Sequence, residues 1–343
     1  MAEEAQATLT AKDFQSDQEV RWCPGCGDYA ILKSVQSILP ELGIPREKFV
    51  VISGIGCSSR FPYYLNTFGF HSIHGRAPAF ATGLKTSRPD LEVWVVTGDG
   101  DGLSIGGNHL IHVLRRNVGV KVLLFNNRIY GLTKGQYSPT SEVGKRTSST
   151  PFGSVDNPFN PLRLAIGAGA TFVARSVDIF QAHLKETLRQ AAAHKGTAFV
   201  EIYQNCNIFN DQAFSYMTAK ENRSEHAVHL EHGKPLVFGD KGKKKGLRQK
   251  GFGFEIVPLH DGSYKEEDCV VWDETIENPA QAFMIASIGR PDFPTPIGIL
   301  RRVDHPSFEQ SVVSQIQAAV DQRGTGSLRD LLYSGETWTV GGG

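Results

Sequence analysis

The chain has 343 residues, 40% hydrophobic and 10% aromatic, which supports a proper core in one large domain with an appendage or in two domains. Its 36 cationic and 36 anionic side chains cancel, so net charge gives no reason to expect nucleic acid or an anionic membrane as a partner. No apolar run approaches the roughly 20 residues that span a bilayer, and the first segment, MAEEAQATLTAKDF, is acidic where a signal peptide is basic and then greasy, which predicts a cytoplasmic protein.

A polar leader occupies residues 1–18. RWCPGCGDYAIL (21–32) then sets Cys23 and Cys26 in a C-x-x-C spacing that fits a zinc knuckle, a redox dithiol or an iron–sulfur ligand pair. GDYAILKSVQSILPEL reads as an amphipathic helix with Ile31, Leu32, Val35, Ile38 and Leu39 on its apolar face. KFVVISGIGC (48–57) is a β-branched run ending in a glycine turn, the pattern of a buried strand that feeds a functional loop. APAFATGLKTSRPD predicts a helix, LEVWVVTGDGDG (91–102) a strand and turn, LSIGGNHLIHVLRRN (103–117) a helix, and VGVKVLLFNN (118–127) a third strand. Connections this short between strand, helix and strand make right-handed βαβ units in a parallel sheet with helices on both faces. A loop rich in Ser, Thr, Pro and Gly runs from Arg128 to Pro161, and long loops of this kind serve as lids or partner contacts. The helix VDIFQAHLKETLRQAAAHK (177–195) and the strand GTAFVEIYQNCN (196–207) complete an α/β core over residues 19–210. Residues 211–343 have weak periodicity and read as an irregular C-terminal extension that contacts the core and a partner. Within it KGKKKGLRQK (241–250), six cations in ten positions, reads as a solvated loop.

The decisive motif is Gly98-Asp99-Gly100, then 25 residues, then Asn126-Asn127. A G-D-G turn ending one parallel strand and an Asn pair ending the next bring a carboxylate and an amide oxygen to the same carboxyl edge of the sheet, a hard-oxygen site for a small divalent cation. The helix starting near Leu103 points its first amides toward that edge, so a diphosphate would be held there by amides and metal together. The five cysteines, Cys23, Cys26, Cys57, Cys206 and Cys269, are odd in number and widely scattered, which argues against a disulfide framework.

G-D-G followed at this interval by N-N resembles the thiamine diphosphate enzymes. The resemblance implies that Asp99, Asn127 and the main-chain carbonyl of Ile129 bind Mg²⁺. With W-C-P-G-C-G, G-I-G-C-S-S (54–59), H-S-I-H-G-R (71–76), G-D-G-D-G, L-L-F-N-N-x-x-Y-G-L-T and a late Cys, residues 20 to 210 resemble the β subunit of 2-oxoacid:ferredoxin oxidoreductases. PTPIGILRRVDHPSFE is similar to the tail of the 2-oxoglutarate branch. The resemblance implies a thiamine diphosphate-binding fold and one [4Fe-4S] cluster on Cys23, Cys26, Cys57 and Cys206, with Cys269 left as a buried or free thiol. It further implies that Ile55, Gly56, Cys57 and Ser58 line the thiazolium end of the cofactor. His74 and the amides of Gly100 and Asp101 would hold the diphosphate, and Leu132 and Thr133 would close over it. Lys134 would bind the substrate carboxylate or coenzyme A, the competing reading being a solvated lysine on a mobile loop. His71 reads as packing or capping, and His109 and His112 as ordinary helix surface or core. The basic run 241–250 would, as the alternative to a solvated loop, attract an acidic ferredoxin or coenzyme A phosphates.

The activity so implied is thiamine-dependent oxidative decarboxylation of 2-oxoglutarate with coenzyme A to succinyl-CoA and CO₂, electrons leaving through the cluster to ferredoxin, reversible in principle. Pyruvate or branched-chain 2-oxoacids are alternative substrates, a non-redox thiamine lyase an alternative class, and an iron–sulfur electron-transfer module without thiamine a third. No motif supplies the glutamate that activates the aminopyrimidine. The resemblance places that group on a separate α subunit, which implies an αβ unit, dimerised to a heterotetramer.

Overall fold

A computed structural model describes residues 9–341. Its centre is an eight-stranded sheet in the order β2-β1-β3-β4-β6-β5-β11-β7. These strands are β1 (Phe49–Ser53), β2 (Phe68–His71), β3 (Glu92–Gly98), β4 (Val120–Asn126), β5 (Phe172–Val177), β6 (Ala198–Tyr203), β7 (Ala227–Leu230) and β11 (Thr295–Arg302). Every neighbouring pair is parallel except β11 with β5. A small antiparallel sheet of β8 (Val237–Phe238), β9 (Lys245–Lys250) and β10 (Gly253–Pro258) lies beside it.

Strands β1, β4, β5 and β6 are buried along their whole length because helices cover both faces, as parallel sheets require. Alternation along β3 sends Val93 and Val95 to one core and Trp94 and Val96 to the other. On the first face pack α2 (Ala77–Ser87), α4 (Gly107–Arg115), α5 (Pro161–Gly167) and α9 (Ala280–Ser287). The opposite face is covered by α1 (Asp28–Ile38), through Ile31, Leu32, Val35 and Ile38, and by α6 (Gln181–Ala193). Short turns α3 (Asp99–Leu103), α7 (Ser215–Thr218) and α8 (Arg223–His226) and the C-terminal helices α10 (Phe308–Arg323) and α11 (Leu328–Leu332) complete the chain. No helix among the described residues is long and apolar enough to cross a membrane.

The α/β class and the parallel βαβ order agree with the sequence, and several elements differ. Of the leader 1–18, residues 1–8 lie outside the described residues, while Phe14 is fully buried edge-on against Phe49, so the end of that segment belongs to the core. The helix expected over 103–117 is two, α3 and α4, because the chain turns at Ser104–Gly106 where a side chain on Gly106 would strike the Asp101 carbonyl. Residues 211–343 are not an irregular appendage: β7 and β11 complete the main sheet, and Trp272 of the same segment is fully buried in its core. The basic run is not a loop but mostly strand β9, and Lys244, Lys245, Arg248 and Lys250 are already paired with Glu266, Glu225 and Glu255. That pairing removes most of the free charge that would draw an acidic partner to it.

Candidate functional site

The carboxyl ends of β1, β3 and β4 face a cavity of about 570 Å³, walled by the turn after β1, the first turn of α3 and residues 127–137. All of Ile55, Gly56, Cys57, Ser58, His74, Asp99, Gly100, Asp101, Asn127, Ile129, Leu132 and Thr133 line it. The Asp101 carboxylate holds this cavity's shape. Its Oδ1 accepts from the amides of Ile55 (3.0 Å) and Gly75 (2.7 Å) and lies 2.6 Å from His74 Nδ1, while Oδ2 accepts from Thr97 Oγ1 at 2.6 Å. One buried anion thus ties the 54–56 turn and the His74 loop to the end of β3. Gly54 is required there, since a Cβ would overlap the Asp101 carboxylate. Asp101 therefore acts through its side chain as a latch, while its amide, with that of Gly100, starts α3 where no intrahelical acceptor exists.

Asp99 is buried, and its Oδ2 accepts from Ser138 (2.5 Å) and Thr140 (2.6 Å). Burial without a counter-cation pushes its carboxyl up to about 6, the behaviour of a site that fits a bound cation. Asn127 Oδ1 accepts from the Ile129 amide at 3.1 Å, and the Ile129 carbonyl accepts from no described residue. A carboxylate, an amide oxygen and a free carbonyl on one cavity wall are the donor set a small hard cation takes. Tyr130 donates to the Gly100 carbonyl at 3.0 Å, and its ring occupies the space a Gly100 side chain would need.

Next to this cavity lies a smaller one, about 220 Å³, lined by Cys23, Cys26, Cys57 and Cys206. Cys57, Asn127, Gly131, Leu132 and Gln204 wall both. The four thiols are unbridged, Cys23 exposed, Cys26 and Cys57 half-buried and Cys206 buried. Burial, reinforced by the Asp28 carboxyl, pushes the Cys57 thiol up to about 12 and Cys26 also upward. Such thiols become thiolates when cations bind among them. Among the described residues no three of these sulfurs come within 4.8 Å of one another, whereas tetrahedral zinc would set them about 3.8 Å apart. Trp22 Nε1 donates to the Cys57 carbonyl (2.7 Å), Gln204 Nε2 lies 3.3 Å from Cys26 Sγ, and a Cβ on Gly131 would sit 3.6 Å from the sulfurs of both Cys57 and Cys206.

Lys134, with a left-handed φ of 75°, lines the cysteine cavity beside Leu132 and not the larger one. Cys269 lies far off, against Gly246 of β9. His71 packs edge-on to Tyr63, and His109 and His112 lie half-buried on α4. Sequence reasoning missed Ser138, Thr140, Gly131, Gln204 and Asp28. Asp28 is 1% exposed, neither oxygen has a partner, and burial beside Asp178 raises it to about 7. Its place right after C-x-x-C-G was the available signal. A separate group, His232, Asp273 and Glu274, is internally paired, with Glu274 also bound by Arg302.

The family model described as thiamine pyrophosphate enzyme, C-terminal TPP binding domain, matches residues 54–202. The 2-oxoglutarate oxidoreductase subunit KorB of Mycobacterium tuberculosis is 56% identical over 332 residues, 96% of this chain and 88% of that one. The 2-oxoacid:ferredoxin oxidoreductase 1 subunit beta of Aeropyrum pernix is 49% identical over 190 residues, 55% of this chain and 60% of its own length. A solved structure of the 2-oxoglutarate:ferredoxin oxidoreductase from Magnetococcus marinus, with 2-oxoglutarate, coenzyme A and succinyl-CoA bound, superposes with a TM-score of 0.77 at 32% identity, covering 97% of this chain and 98% of that one.

Proposed function

Since the chain belongs to the family of 2-oxoglutarate:ferredoxin oxidoreductase β subunits, we propose that it is the half of that enzyme which holds thiamine diphosphate through Mg²⁺ and passes electrons to a [4Fe-4S] cluster. When bound, the thiazolium stabilises the carbanion left by decarboxylation of a 2-oxoacid, and the cluster accepts electrons one at a time. Asp99, Asn127 and the Ile129 carbonyl would hold the metal, with Ser138 and Thr140 fixing the Asp99 carboxylate. His74, oriented by Asp101, and the amides of Gly100 and Asp101 would take the diphosphate. Ile55, Gly56, Cys57 and Ser58 would line the thiazolium end, and Leu132 and Thr133 would shield it from water.

The observation that carries this reading is the shared wall: Cys57, Gly131 and Gln204 separate the cofactor cavity from the four cysteines by a single layer of residues. Electrons released at a cofactor bound in one cavity would have only that layer to cross to reach a centre in the other. Cys23, Cys26, Cys57 and Cys206 are the cluster ligands in this account. Lys134, on the wall of the cysteine cavity next to Leu132, which both cavities share, supplies a cation for the substrate carboxylate or coenzyme A.

Ile55, Ile73, Ile105 and Leu132 stand exposed near the turns that frame the larger cavity, which supports an α subunit closing over it, and the αβ unit pairing into a heterotetramer. Exposed Cys23 leaves the cluster reachable by ferredoxin, and five unbridged cysteines suit the reducing cytoplasm. The test is turnover of the purified αβ complex against a panel of 2-oxoacids with coenzyme A and a low-potential acceptor. We expect the highest kcat/KM for 2-oxoglutarate and no activity from this chain alone. Preference for pyruvate, or full activity of the isolated chain, would overturn the assignment.

A further inference from the structure

A further cavity lies apart from the cofactor site. About 690 Å³ in volume, it opens at the carboxyl ends of β4, β6 and β5, on the face of the sheet covered by α5 and α9. Its wall is built from guanidinium groups held flat on aromatic rings. Arg175 Cζ lies 4.8 Å from the Tyr203 centroid, Arg128 4.7 Å from Phe214, and Arg290 4.4 Å from Tyr216.

These groups have donors to spare. Arg175, 5% exposed, gives Nε to Glu201 (2.7 Å) and Nη1 to the Pro296 carbonyl (3.3 Å), and its Nη2 donates to no described residue. Among the described residues the Arg128 guanidinium donates only through Nη1, to Glu142 at 2.6 Å, and the hydroxyl of Tyr203 finds no partner. Arg163 and Arg290, at the mouth, form no ion pair among the described residues. Donors without protein acceptors are normally met by water or a ligand. Here several converge in rigid fork geometry, matched to oxyanions, and the adjoining rings offer faces to a planar group. The volume is that of a nucleotide-sized molecule.

We propose that this cleft binds a phosphorylated ligand of nucleotide size, its phosphates on Arg175, Arg128 and Arg290 and its ring system against the aromatic wall. The proposal does not rest on the thiamine reading: apart from Thr140, which also fixes Asp99, none of the residues assigned to the cofactor or the cysteines lines the cleft. The two sites do touch: Asn126 donates to Glu201 (2.7 Å), and Thr140 lies within hydrogen-bond reach of both Asn126 (2.9 Å) and Asp99 (2.6 Å). Occupation of the cleft therefore bears on the carboxylate assigned to the metal.

Calorimetric titration of the complex, already saturated with thiamine diphosphate, Mg²⁺ and coenzyme A, tests this with ADP and inorganic pyrophosphate. The expected result is that ADP binds with a Kd below about 1 mM and that pyrophosphate binds about tenfold more weakly for want of a ring. The exposed pair Arg163→Ala/Arg290→Ala, which leaves the buried ion pairs intact, should weaken ADP binding about tenfold or more. Arg128→Gln should do the same, with the fold checked by circular dichroism. No binding of either, pyrophosphate as tight as ADP, or ADP binding that the double variant leaves unchanged would each overturn the proposal.

Discussion

Replacing Asp101 by Asn removes one charge and keeps the shape, so it isolates what the latch contributes. Four hydrogen bonds end on this carboxylate, from Ile55, Gly75, His74 and Thr97. An amide with its oxygen in the Oδ1 position keeps the first three, and its NH₂ donates to Thr97 Oγ1, whose own proton turns to the Gly98 carbonyl 3.3 Å away. Three charge-assisted bonds become neutral ones at about 1 kcal/mol each, a loss of about 3 kcal/mol. Thr97→Val removes one bond and should cost about 1 kcal/mol, whereas Asp101→Ala strands two buried amides and should cost more than either. Urea unfolding measures all three, and thiamine diphosphate titration should show about tenfold weaker binding for Asp101→Asn, because the 54–56 turn and His74 are no longer tied together. If the Asn variant unfolds at the wild-type midpoint and binds the cofactor equally well, the latch carries no weight and the reasoning fails.

Gly100→Ala forces a methyl into the Tyr130 ring and breaks its 3.0 Å bond to the Gly100 carbonyl, so stability should fall by about 1–3 kcal/mol in urea melts and cofactor affinity should drop with it. Asn127→Ala should weaken Mg²⁺-dependent thiamine binding by about 100-fold in calorimetry, while costing only about 1 kcal/mol of stability for the lost bond to the Ile129 amide. Buried His194, bonded to Thr171 Oγ1 at 2.8 Å, has its pKa lowered from 6.5 to about 4 by burial and by Lys121. The unfolded chain takes up this proton first, so the stability it contributes is complete above about pH 6.5 and is lost, by about 3 kcal/mol, as pH falls toward 4. His194→Gln should flatten that part of the pH–stability curve, and an unchanged slope would exclude His194 as its source.

How much of this was legible beforehand depended on whether local pattern or tertiary context decided each element. The strands β1, β3 and β4 announce themselves as β-branched runs, and the G-D-G and N-N motifs at their ends are held at one edge by sheet geometry alone. Strand β5 escaped because Arg175 and Ser176 interrupt its apolar run; their burial is supported by Glu201 on the neighbouring strand and by His183, which no local window contains. Strand β9, the middle strand of the small sheet, looked like a loop because its charges are matched only by Glu225, Glu255 and Glu266 from elsewhere in the chain. The cysteines could be grouped only through family resemblance, since Cys206 follows Cys57 by a long stretch of sequence and meets it only across β4 and β6. Lys134 reads from its place after G-L-T as a cation for the substrate carboxylate or coenzyme A, and only the fold shows that it stands on the wall of the cysteine cavity. Asp28 looked like an ordinary acid at the start of a helix, and only the fold reveals a buried carboxyl on the wall of the larger cavity with no partner among the described residues.

The central claim is that electrons from the 2-oxoacid enter a centre held by the four cysteines. Electron paramagnetic resonance of the αβ complex, with iron and sulfide analysis, tests it most directly. The account predicts four irons per chain and a reduced-cluster signal that grows on adding 2-oxoglutarate and coenzyme A, both lost in Cys23→Ala while thiamine diphosphate still binds. Iron content and a substrate-dependent signal that survive Cys23→Ala, or a wild-type complex without iron, would contradict it.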